Sequence, residues 1–469
     1  MAQRVLVVGL RATGAVVVHW LRARGDAVTV VEERPGQAAY AERRAAAEAA
    51  GVTVIEGSPD WSALLAATDL MVPSPGVVPR HPAMLAAVAA GVVVRGDLDL
   101  AVEAAKVPVV VVTGTNGKST VTTLISAMLE AAGMRAPAVG NIGRVALDAV
   151  ESDAEILVIE ASSFQLHSVT DTFAPAVAVL LNLADDHLDW HGSFGAYVEA
   201  KRNAFRHQRP TDVLVADLDD PLVAELASGA PGRVVGVTAT GFRPGAISWT
   251  GLTLVDERGS SILELDETVR MAPHELANIA AAAAAARVMA ADAVAIDRAV
   301  RGFTRLHHRT ELVGKAGGVE YVDDSKATNP HATLAAVRGY SSVVLLAGGD
   351  SKGVDLVPLA SVADRLRGVV TIGDTPEEIE AALGAHVPTV RAASMRAAVR
   401  QAAAMARPAD VVLLSPACAS FDWYSSYSER GDDFRREVEA LLAEGEMGPN
   451  EMGPNEMGPN EMDPNEMDR

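Results

Sequence analysis

The sequence contains a single cysteine, Cys418, and no long hydrophobic run. One thiol cannot form an internal disulfide, and sparse cysteine is typical of proteins from reducing compartments. The apolar runs fall short of the roughly 18 residues that suggest a membrane-spanning helix. The chain opens directly into a strand-like run, Arg4-Val-Leu-Val-Val-Gly9, so we expect no cleavable signal. The composition therefore predicts a soluble, cytoplasmic protein without a membrane span.

Positive charge is also scarce, because 40 Lys and Arg residues face 61 Asp and Glu residues. The net charge of −21 argues against a nucleic-acid partner or an anionic membrane surface, although a local basic cleft for phosphates is compatible with it. At 469 residues, of which 49% are hydrophobic, the chain is too long for one ordinary core. We expect about two to four α/β domains.

The most informative stretch runs from a β-branched strand into a glycine-rich turn, Val109-Val-Val-Val-Thr113-Gly-Thr-Asn-Gly-Lys118-Ser-Thr120. Such glycines let backbone N–H groups face an anion, and the helix expected over residues 121–132 adds the positive end of its dipole. Val112 occupies the place of the first Gly of a Walker A motif, and the alternative is an ordinary strand-to-helix turn. We predict a nucleoside triphosphate site formed by Gly114, Thr115, Asn116, Gly117, Lys118, Ser119 and Thr120.

The N-terminal segment begins like a Rossmann βαβ unit with a degraded fingerprint. Gly9 and Gly14 lead from the first strand into a helix, but Arg11 stands where the middle Gly belongs, and a second strand ends at Glu32. A half-unit that binds a nucleotide-linked substrate therefore fits better than an NAD site. Ser74-Pro-Gly76 follows another strand and is either part of that site or a simple turn.

Two strands of the central segment end in groups suited to a metal ion. The first delivers Glu160 at its carboxyl end, where a carboxylate is costly unless it is paired or metal-bound. The second ends in Asp185-Asp-His187-Leu-Asp189, which fits a metal or phosphate site or, alternatively, a solvated acidic loop. Lys201 lies on a helix predicted over residues 193–205, where a lone lysine is ordinarily a surface charge.

An antiparallel region and an alanine-rich helix are predicted next. Residues 234–265 are rich in Val, Ile, Thr and Gly and predict short antiparallel strands. The helix begins near Pro273, with His274 and Asn278 on one face. That face either meets a ligand or simply lines the helix.

In the last third of the chain, three strands each end in a polar loop. These loops contain Asp323-Asp324, Gly349-Asp350-Ser-Lys352 and Ser415-Pro-Ala-Cys-Ala-Ser420, and their repetition favours a ligand-binding edge. Cys418 has no nearby His to activate it and is interpreted as structural. From Glu446 onward, repeats of Glu-Met-Gly-Pro-Asn predict a disordered tail that is dispensable for chemistry.

Taken together, these loops closely resemble those of the Mur ligases, and the resemblance covers about residues 4–440. The phosphate loop alone would indicate only a superfamily that includes folylpolyglutamate synthase. The two loops that begin at Asp323 and Ser415 match the branch of the family that adds D-glutamate. The matching segments are Gly-Thr-Asn-Gly-Lys118-Ser-Thr, Gly140-Asn141-Ile-Gly, Glu160-Ala-Ser-Ser-Phe-Gln-Leu, Asp186-His187-Leu-Asp, His308-Arg309, Asp323-Asp324-Ser-Lys-Ala-Thr-Asn329, Gly349-Asp350-Ser-Lys352 and Ser415-Pro-Ala-Cys-Ala-Ser-Phe-Asp422.

The resemblance implies an α/β chain of three domains. A Rossmann-like domain that binds a UDP-linked substrate is expected at residues 1–95. A central P-loop ATPase domain, with a parallel sheet plus a small antiparallel sheet, is expected at 96–303. A Rossmann-like, amino-acid-binding domain is expected at 304–445, followed by the repeat tail at 446–469.

The resemblance also implies an ATP-dependent amide ligation. ATP would activate a carboxylate as an acyl phosphate, and an amine would then displace phosphate, with two Mg²⁺ ions expected. Lys201 matches a position that the family carbamylates with CO₂, which would turn a cation into a second metal-binding carboxylate. Positions that match the phosphate and metal contacts are Lys118, Ser119, Thr120, Glu160 and His187.

The implied substrates are UDP-N-acetylmuramoyl-L-alanine and D-glutamate. We expect a monomer in which domain closure assembles the site. Glu32 replaces a usual Asp and Arg11 replaces a small residue. The matching positions are Thr13, Glu32, Arg34 and Ser74 for UDP, Asn141 near the substrate and phosphoryl group, Asn278, Arg309 and Asp324 for the nucleotide, and Thr328, Lys352, Ser420 and the backbone at Tyr427 for D-glutamate.

Two alternative functions stay open from the sequence. One is a sister ligase that adds a different amino acid to a muramoyl peptide or to folate. The other is a P-loop nucleotide switch without ligase activity, which has no need for the three strand-end loops of the last domain.

Overall fold

The computed structural model describes residues 2–36, 39–266, 271–374 and 376–446. The predicted repeat tail therefore lies outside the described residues, apart from Glu446. The chain divides into two compact units, of which the first ends at Leu306 and also includes Lys352–Val354. The second begins at His307 and contains the other described residues. Within the described ranges, no helix has the length and apolar character needed to cross a membrane.

The first sheet lies in the first unit and is wholly parallel. Among the residues described up to position 96, its strands lie in the order β3-β2-β1-β4-β5. The chain adds β2 and β3 on one side of β1 and then crosses to the other side for β4 and β5. This is the Rossmann-like arrangement that the sequence predicts. The elements are β1 (Arg4–Val8), α1 (Ala12–Ala23), β2 (Ala27–Glu32), α2 (Tyr40–Ala49), β3 (Thr53–Glu56), α3 (Trp61–Leu65), β4 (Leu70–Pro73), α4 (Pro82–Ala90) and β5 (Val93–Val94).

The second sheet, also in the first unit, is large and mixed. In the described part of the chain its order is β14-β13-β12-β11-β10-β9-β6-β8-β7. The elements are α5 (Asp97–Ala104), β6 (Val109–Thr113), α6 (Lys118–Ala131), β7 (Ala138–Gly140), α7 (Ala146–Ala149), β8 (Leu157–Glu160), α8 (Ser163–His167), β9 (Val177–Leu180), α9 (Leu188–His191), α10 (Phe194–Arg202), β10 (Val213–Asp217), α11 (Pro221–Ser228), β11 (Arg233–Thr238), β12 (Ala246–Thr250), β13 (Thr253–Val255), β14 (Ser261–Glu264), α12 (Pro273–Val288) and α13 (Ala293–Gly302).

The prediction of antiparallel strands over residues 234–265 is only partly right. Strand β11 pairs in parallel with β10, and β12 pairs in parallel with β11. Of the strands described in this range, β13 pairs antiparallel with both β12 and β14, and β13 and β14 extend the edge of the same sheet. Alternating side chains are common to both kinds of pairing, so the pattern identifies strands without fixing their direction.

Helix α12 packs closely on one face of the second sheet, because most of its buried side chains are small. It contacts α6 and strands β10, β11 and β12, and residues 278–286 are all buried. Seven of these, residues 280–286, are alanine. Residues 279–286 are apolar on every side, which is typical of a helical segment inside a core. Its N-terminal part carries Asn278 into the interior.

The third sheet lies in the second unit and is mixed at one edge. Within the described residues from 307 to 446, the order is β15-β16-β20-β17-β18-β19, and only β15 is antiparallel to its neighbour. The elements are β15 (Glu311–Ala316), β16 (Val319–Asp323), α14 (Pro330–Arg338), β17 (Val343–Gly348), a 3₁₀ helix (Val357–Arg365), β18 (Leu366–Ile372), α15 (Pro376–Leu383), β19 (Thr389–Arg391), α16 (Met395–Met405), β20 (Val411–Leu414) and α17 (Tyr427–Glu446).

Strand order explains why polar residues gather where they do. Strand β6 lies between β8 and β9, so the loops after all three strands emerge side by side at one edge. In the third sheet, β20 lies between β16 and β17 in the same way. Ligands of open α/β sheets bind at such carboxyl edges, where the strand order reverses.

Gly14 tests how closely α1 packs on the end of β1. A Cβ atom at Gly14 would overlap the carbonyl oxygen of Gly9, whereas one at the exposed Gly76 would meet nothing within 4 Å. We expect Gly14→Ala to lower the free energy of unfolding by about 1–3 kcal/mol because helix and turn must separate. The matched variant Gly76→Ala should change it by less than about 0.5 kcal/mol. Urea denaturation measures both, and equal midpoints would contradict the prediction.

Candidate active site

The loop after β6 has the geometry of an anion cradle. Gly114 and Gly117 have φ values of 152° and 85°, which favour glycine. A Cβ atom at Gly114 would lie 2.9 Å from the Cβ of Leu181, so the loop also runs too close to the next strand for a side chain. Helix α6 begins directly after it, at Lys118, three residues before the predicted start. The N-terminus of α6 therefore opens at the loop, as an anion requires.

Lys118 and its two hydroxyl neighbours occupy the first turn of α6. The Lys118 Nζ atom donates to the carbonyl oxygens of Gly114, at 3.0 Å, and Thr115, at 2.8 Å. Ser119 and Thr120 follow it and are half-buried. Asn278 of α12 lies against the same loop, because a Cβ atom at Gly117 would collide with its Oδ1 atom. These predicted nucleotide residues are thus brought together.

The loop is held in place from β9. The Asn116 N–H donates to Asn182 Oδ1 at 2.8 Å, and Asn182 Nδ2 donates to the Asn116 carbonyl at 3.2 Å. The Thr115 N–H donates to the Asn182 carbonyl at 2.9 Å. The Thr115 Oγ1 atom lies 2.9 Å from the hydroxyl of Tyr197 and accepts from the Ala184 N–H. Both sides of the loop are therefore pinned by side chains that sequence motifs do not single out.

Glu160 offers a carboxylate oxygen that has no hydrogen-bond partner among the described residues. It is buried at the end of β8, and its Oε1 atom accepts from Asn141 Nδ2 at 2.7 Å. Its Oε2 atom is buried and unpartnered. A buried carboxylate oxygen without a donor is costly and suits a cation. This donor set fits Mg²⁺, and the hydroxyls of Ser119 and Thr120 are oxygen ligands of the same kind.

Lys201 is buried in α10, so the surface-charge interpretation is wrong. Its Nζ atom donates to the Gly114 carbonyl at 2.6 Å and lies 4.7 Å from the Tyr197 ring centre. Burial, followed by repulsion from Lys118, lowers the pKa of Lys201 well below its ordinary value. A neutral amine is the form that reacts with CO₂, so the environment is compatible with a carbamate.

His187 holds an unusual backbone conformation beside α8. Its φ of 54° lies in the left-handed region. The centroid of its ring lies 4.6 Å from that of Phe164, and its Nε2 atom lies 3.7 Å from Asp186 Oδ2. Burial lowers the pKa of His187. A neutral imidazole is the form that binds metals. His191, the last residue of α9, places its Nε2 atom 3.0 Å from Ser163 Oγ, so a second histidine lies near α8.

The predicted UDP residues gather at the carboxyl edge of the first sheet. Ser74 Oγ donates to the Gly9 carbonyl at 3.2 Å. Both oxygens of Glu32 accept backbone N–H groups, from Leu10 at 2.7 Å and Arg34 at 2.9 Å, so this carboxylate shapes the turn. Thr13 lies in the first turn of α1 and the Arg34 side chain is exposed at the end of β2.

The second unit brings its own polar residues together at the end of β16. Asp324 accepts from the Thr310 N–H at 3.2 Å and from Ser415 Oγ at 2.9 Å. Its burial raises the pKa to about 7. Arg309 is half-buried next to His308, whose Nδ1 atom lies 2.7 Å from Asp323 Oδ2. That hydrogen bond raises the pKa of His308.

Three of the four residues predicted for D-glutamate lie in this second unit. The Ala417 N–H donates to the Ala327 carbonyl at 3.0 Å, which ties the loop of Ser420 to the loop of Thr328. The Tyr427 carbonyl accepts from Ser325 Oγ at 2.7 Å. Lys352, the fourth, groups with the first unit.

Sequence reasoning missed several residues that shape these sites. Asn182 and Tyr197 hold the phosphate loop, and no local motif marks either of them. Gln165 receives the Ser162 N–H on Oε1, at 3.1 Å, and donates from Nε2 to the buried Asp97 at 3.0 Å, which links α8 to α5. Arg430 is buried in α17 and joins two loops of the second unit. The only sequence signal for it is an arginine among the apolar positions of a helix.

Three family models match the chain in sequence order. They are described as the Mur ligase MurD-like N-terminal domain at residues 3–96, the Mur ligase middle domain at residues 112–286, and the Mur ligase glutamate ligase domain at residues 308–418.

Curated relatives match over nearly the whole chain. A protein of Frankia casuarinae is 42% identical over 453 residues, covering 93% of this chain and 94% of the relative. One from Thermobifida fusca is 40% identical, covering 94% and 98%. Both bear the name UDP-N-acetylmuramoylalanine–D-glutamate ligase.

Solved structures of ligases share the fold. MurF from Acinetobacter baumannii is similar with a TM-score of 0.59 at 16% identity, covering 94% of this chain and 92% of that one. MurF from Thermotoga maritima, in complex with ADP, gives a TM-score of 0.57 at 16% identity, with 94% and 96% covered.

Asn182 provides a test of the tethered loop. Replacing it by Ala removes the side-chain partners of both polar backbone groups of Asn116, so we expect an ATP analogue with Mg²⁺ to bind about tenfold more weakly. Among the described residues, the Asn203 side chain donates to the Leu166 carbonyl, so the matched variant Asn203→Ala leaves the phosphate loop intact and should bind as the native protein does. Titration calorimetry measures both affinities, and unchanged binding by Asn182→Ala would contradict the prediction.

Proposed function

The chain belongs to the Mur ligase family, and we propose that it joins the amino group of D-glutamate to the carboxyl group of UDP-N-acetylmuramoyl-L-alanine, with cleavage of ATP to ADP and phosphate. The observation that carries this proposal is the identity of about 40% over more than nine-tenths of the chain to relatives named for that reaction. The loops of Thr328 and Ser420 support it, because a backbone hydrogen bond joins them in the second unit, as a shared amino-acid site requires. The product is a precursor of peptidoglycan.

The reaction requires activation because a carboxylate is a poor electrophile. A carboxylate oxygen of the L-alanine unit attacks the γ-phosphorus of ATP, and the bond to the ADP oxygen breaks. The neutral amine of D-glutamate then adds to the carbonyl carbon of the acyl phosphate and loses a proton, and inorganic phosphate leaves. Lys118 and the N-terminus of α6 hold the β- and γ-phosphates in this scheme and offset the charge that develops on them.

Mg²⁺ supplies charge neutralisation of the phosphates when it is bound. Glu160 would hold it through the buried Oε2 atom, with His187 and the hydroxyls of Ser119 and Thr120 as further donors. We propose two ions, with Lys201 as a carbamate providing the second anionic ligand. The burial of Lys201 supports this modification, because it lowers the pKa of the amine and so favours the neutral form, whereas an ammonium cannot attack CO₂.

The remaining residues are assigned by the same proposal. We propose boundaries at residues 1–95, 96–303 and 304–445, a monomer, and a cytoplasmic location. The proposed contacts are Thr13, Glu32, Arg34 and Ser74 for UDP, Asn141 for the phosphoryl group, Gly114, Thr115, Asn116, Gly117, Asn278, Arg309 and Asp324 for ATP, and Thr328, Lys352, Ser420 and the Tyr427 backbone for D-glutamate.

Phosphate release tests the reaction and its specificity together. With ATP, Mg²⁺ and UDP-N-acetylmuramoyl-L-alanine present, we expect release that depends on D-glutamate and not on L-glutamate, L-alanine or diaminopimelate. Lys118→Ala should lower kcat by about 100-fold or more because the phosphates lose a positively charged contact that offsets the charge developing on them. Release with another amino acid would indicate a sister ligase, and release indifferent to every amino acid would favour a nucleotide switch.

The carbamate on Lys201 has its own test. After equilibration with ¹³C-bicarbonate, we expect a carbamate carbon signal in the native protein that disappears in Lys201→Arg, because a guanidinium does not react with CO₂. The matched variant Lys106→Arg, at an exposed lysine, should keep the signal. A turning-over native enzyme without that signal would exclude the modification.

A further inference from the structure

Arg430 is among the largest fully buried side chains of the protein, with 1% of its surface exposed. It lies on α17, and its guanidinium makes four hydrogen bonds. The Nε atom donates to Ser325 Oγ at 3.0 Å and Nη2 to the Ser325 carbonyl at 2.9 Å. Nη1 and Nη2 donate to the Cys418 carbonyl at 3.2 and 3.1 Å. All of these acceptors are neutral.

The planar fork of an arginine explains this choice of residue. Five N–H donors in fixed directions can grip two carbonyls and a hydroxyl at once, which a lysine ammonium on a flexible stem cannot reproduce. Burial lowers the pKa of Arg430 only to about 10, so the group stays a cation at neutral pH. A buried cation is costly, and such charge-assisted hydrogen bonds are what makes it tolerable.

The two segments held by Arg430 are those that carry the proposed amino-acid site. Cys418 lies two residues before Ser420, and Ser325 lies three residues before Thr328. The Ser325 hydroxyl accepts from Arg430 and donates to the Tyr427 carbonyl at 2.7 Å. One guanidinium therefore fixes the backbone beside three of the positions expected to contact D-glutamate.

We propose that Arg430 is a positioning residue for the amino-acid substrate. This inference rests on the proposed function and deepens it. It states that Arg430, which is not among the proposed substrate contacts, sets the spacing between the Ser420 and Thr328 loops. The loops have a second tie, from the Ala417 N–H to the Ala327 carbonyl at 3.0 Å, so loss of Arg430 should loosen the pocket without separating the loops.

Steady-state kinetics of three variants test this role. Arg430→Met keeps the bulk of the side chain and removes its donors, so we expect KM for D-glutamate to rise about tenfold or more, with KM for ATP and for the UDP substrate changing less than about twofold. Arg430→Lys should fall between Arg430→Met and the native enzyme, because it keeps the charge and loses the fork. The matched variant Arg436→Met, at an exposed position of the same helix paired with Asp433, should behave as the native enzyme.

Ser325→Ala keeps the test decisive if Arg430→Met does not fold, as judged by circular dichroism. It removes the hydroxyl that links Arg430 to the Tyr427 carbonyl, so KM for D-glutamate should rise about threefold or more, again selectively. An unchanged KM for D-glutamate in a folded Arg430→Met or in Ser325→Ala, or an equal rise in all three KM values, would overturn the inference. A native enzyme that ignores D-glutamate would instead refute the proposed function.

Discussion

Two lysine side chains, Lys118 and Lys201, donate to the same carbonyl oxygen, that of Gly114. Burial makes a charged amine costly at Lys201, and repulsion from the nearby Lys118 adds to that cost, so the pKa of Lys201 falls. Groups of both signs surround Lys118. The backbone N–H groups of the glycine loop and the start of α6 are partly positive, whereas the buried carboxylate of Glu160 attracts a cation. The edge of the second sheet is thus suited to an anion together with its counter-cation, which is what a nucleotide phosphate chain with Mg²⁺ provides.

Local chemistry could be predicted from the sequence, whereas partners distant along the chain could not. The run into Lys118 and the acids that end β8 and β16 are visible because strand, loop and helix signals lie side by side. Asn182 and Asn116 are separated by 66 residues, and they meet only because β9 lies beside β6. The same holds for Arg430, which is 105 residues from Ser325. Strand direction over residues 234–265 failed for a related reason, since neighbours in the sheet, and not the residues themselves, decide it.

The two units hold their loops by different means. In the first unit, side chains such as Asn182 and Tyr197 hold the phosphate loop, and the Asn116 N–H is bonded to the Asn182 side chain. In the second unit, backbones meet directly: a Cβ atom at Gly349 would overlap the Ala419 carbonyl, and Asp350 and Ala419 exchange both backbone hydrogen bonds at 3.0 and 2.8 Å. Where backbones touch, main-chain geometry sets the positions of the neighbouring side chains. Arg430 also acts on the main chain, because it donates to the carbonyl oxygens of Ser325 and Cys418.

The alanine face of α12 has a thermodynamic consequence for the nucleotide loop. A buried alanine has no rotamers to lose, so fixing residues 280–286 against the sheet carries almost no side-chain entropy cost. For the same reason these residues have no alternative rotamers, which favours a single packing arrangement of this part of the helix on the sheet. Asn278 belongs to the same helix, and this packing holds its side chain against Gly117. This part of the helix is therefore a spacer whose packing surface does not change with side-chain rotamers.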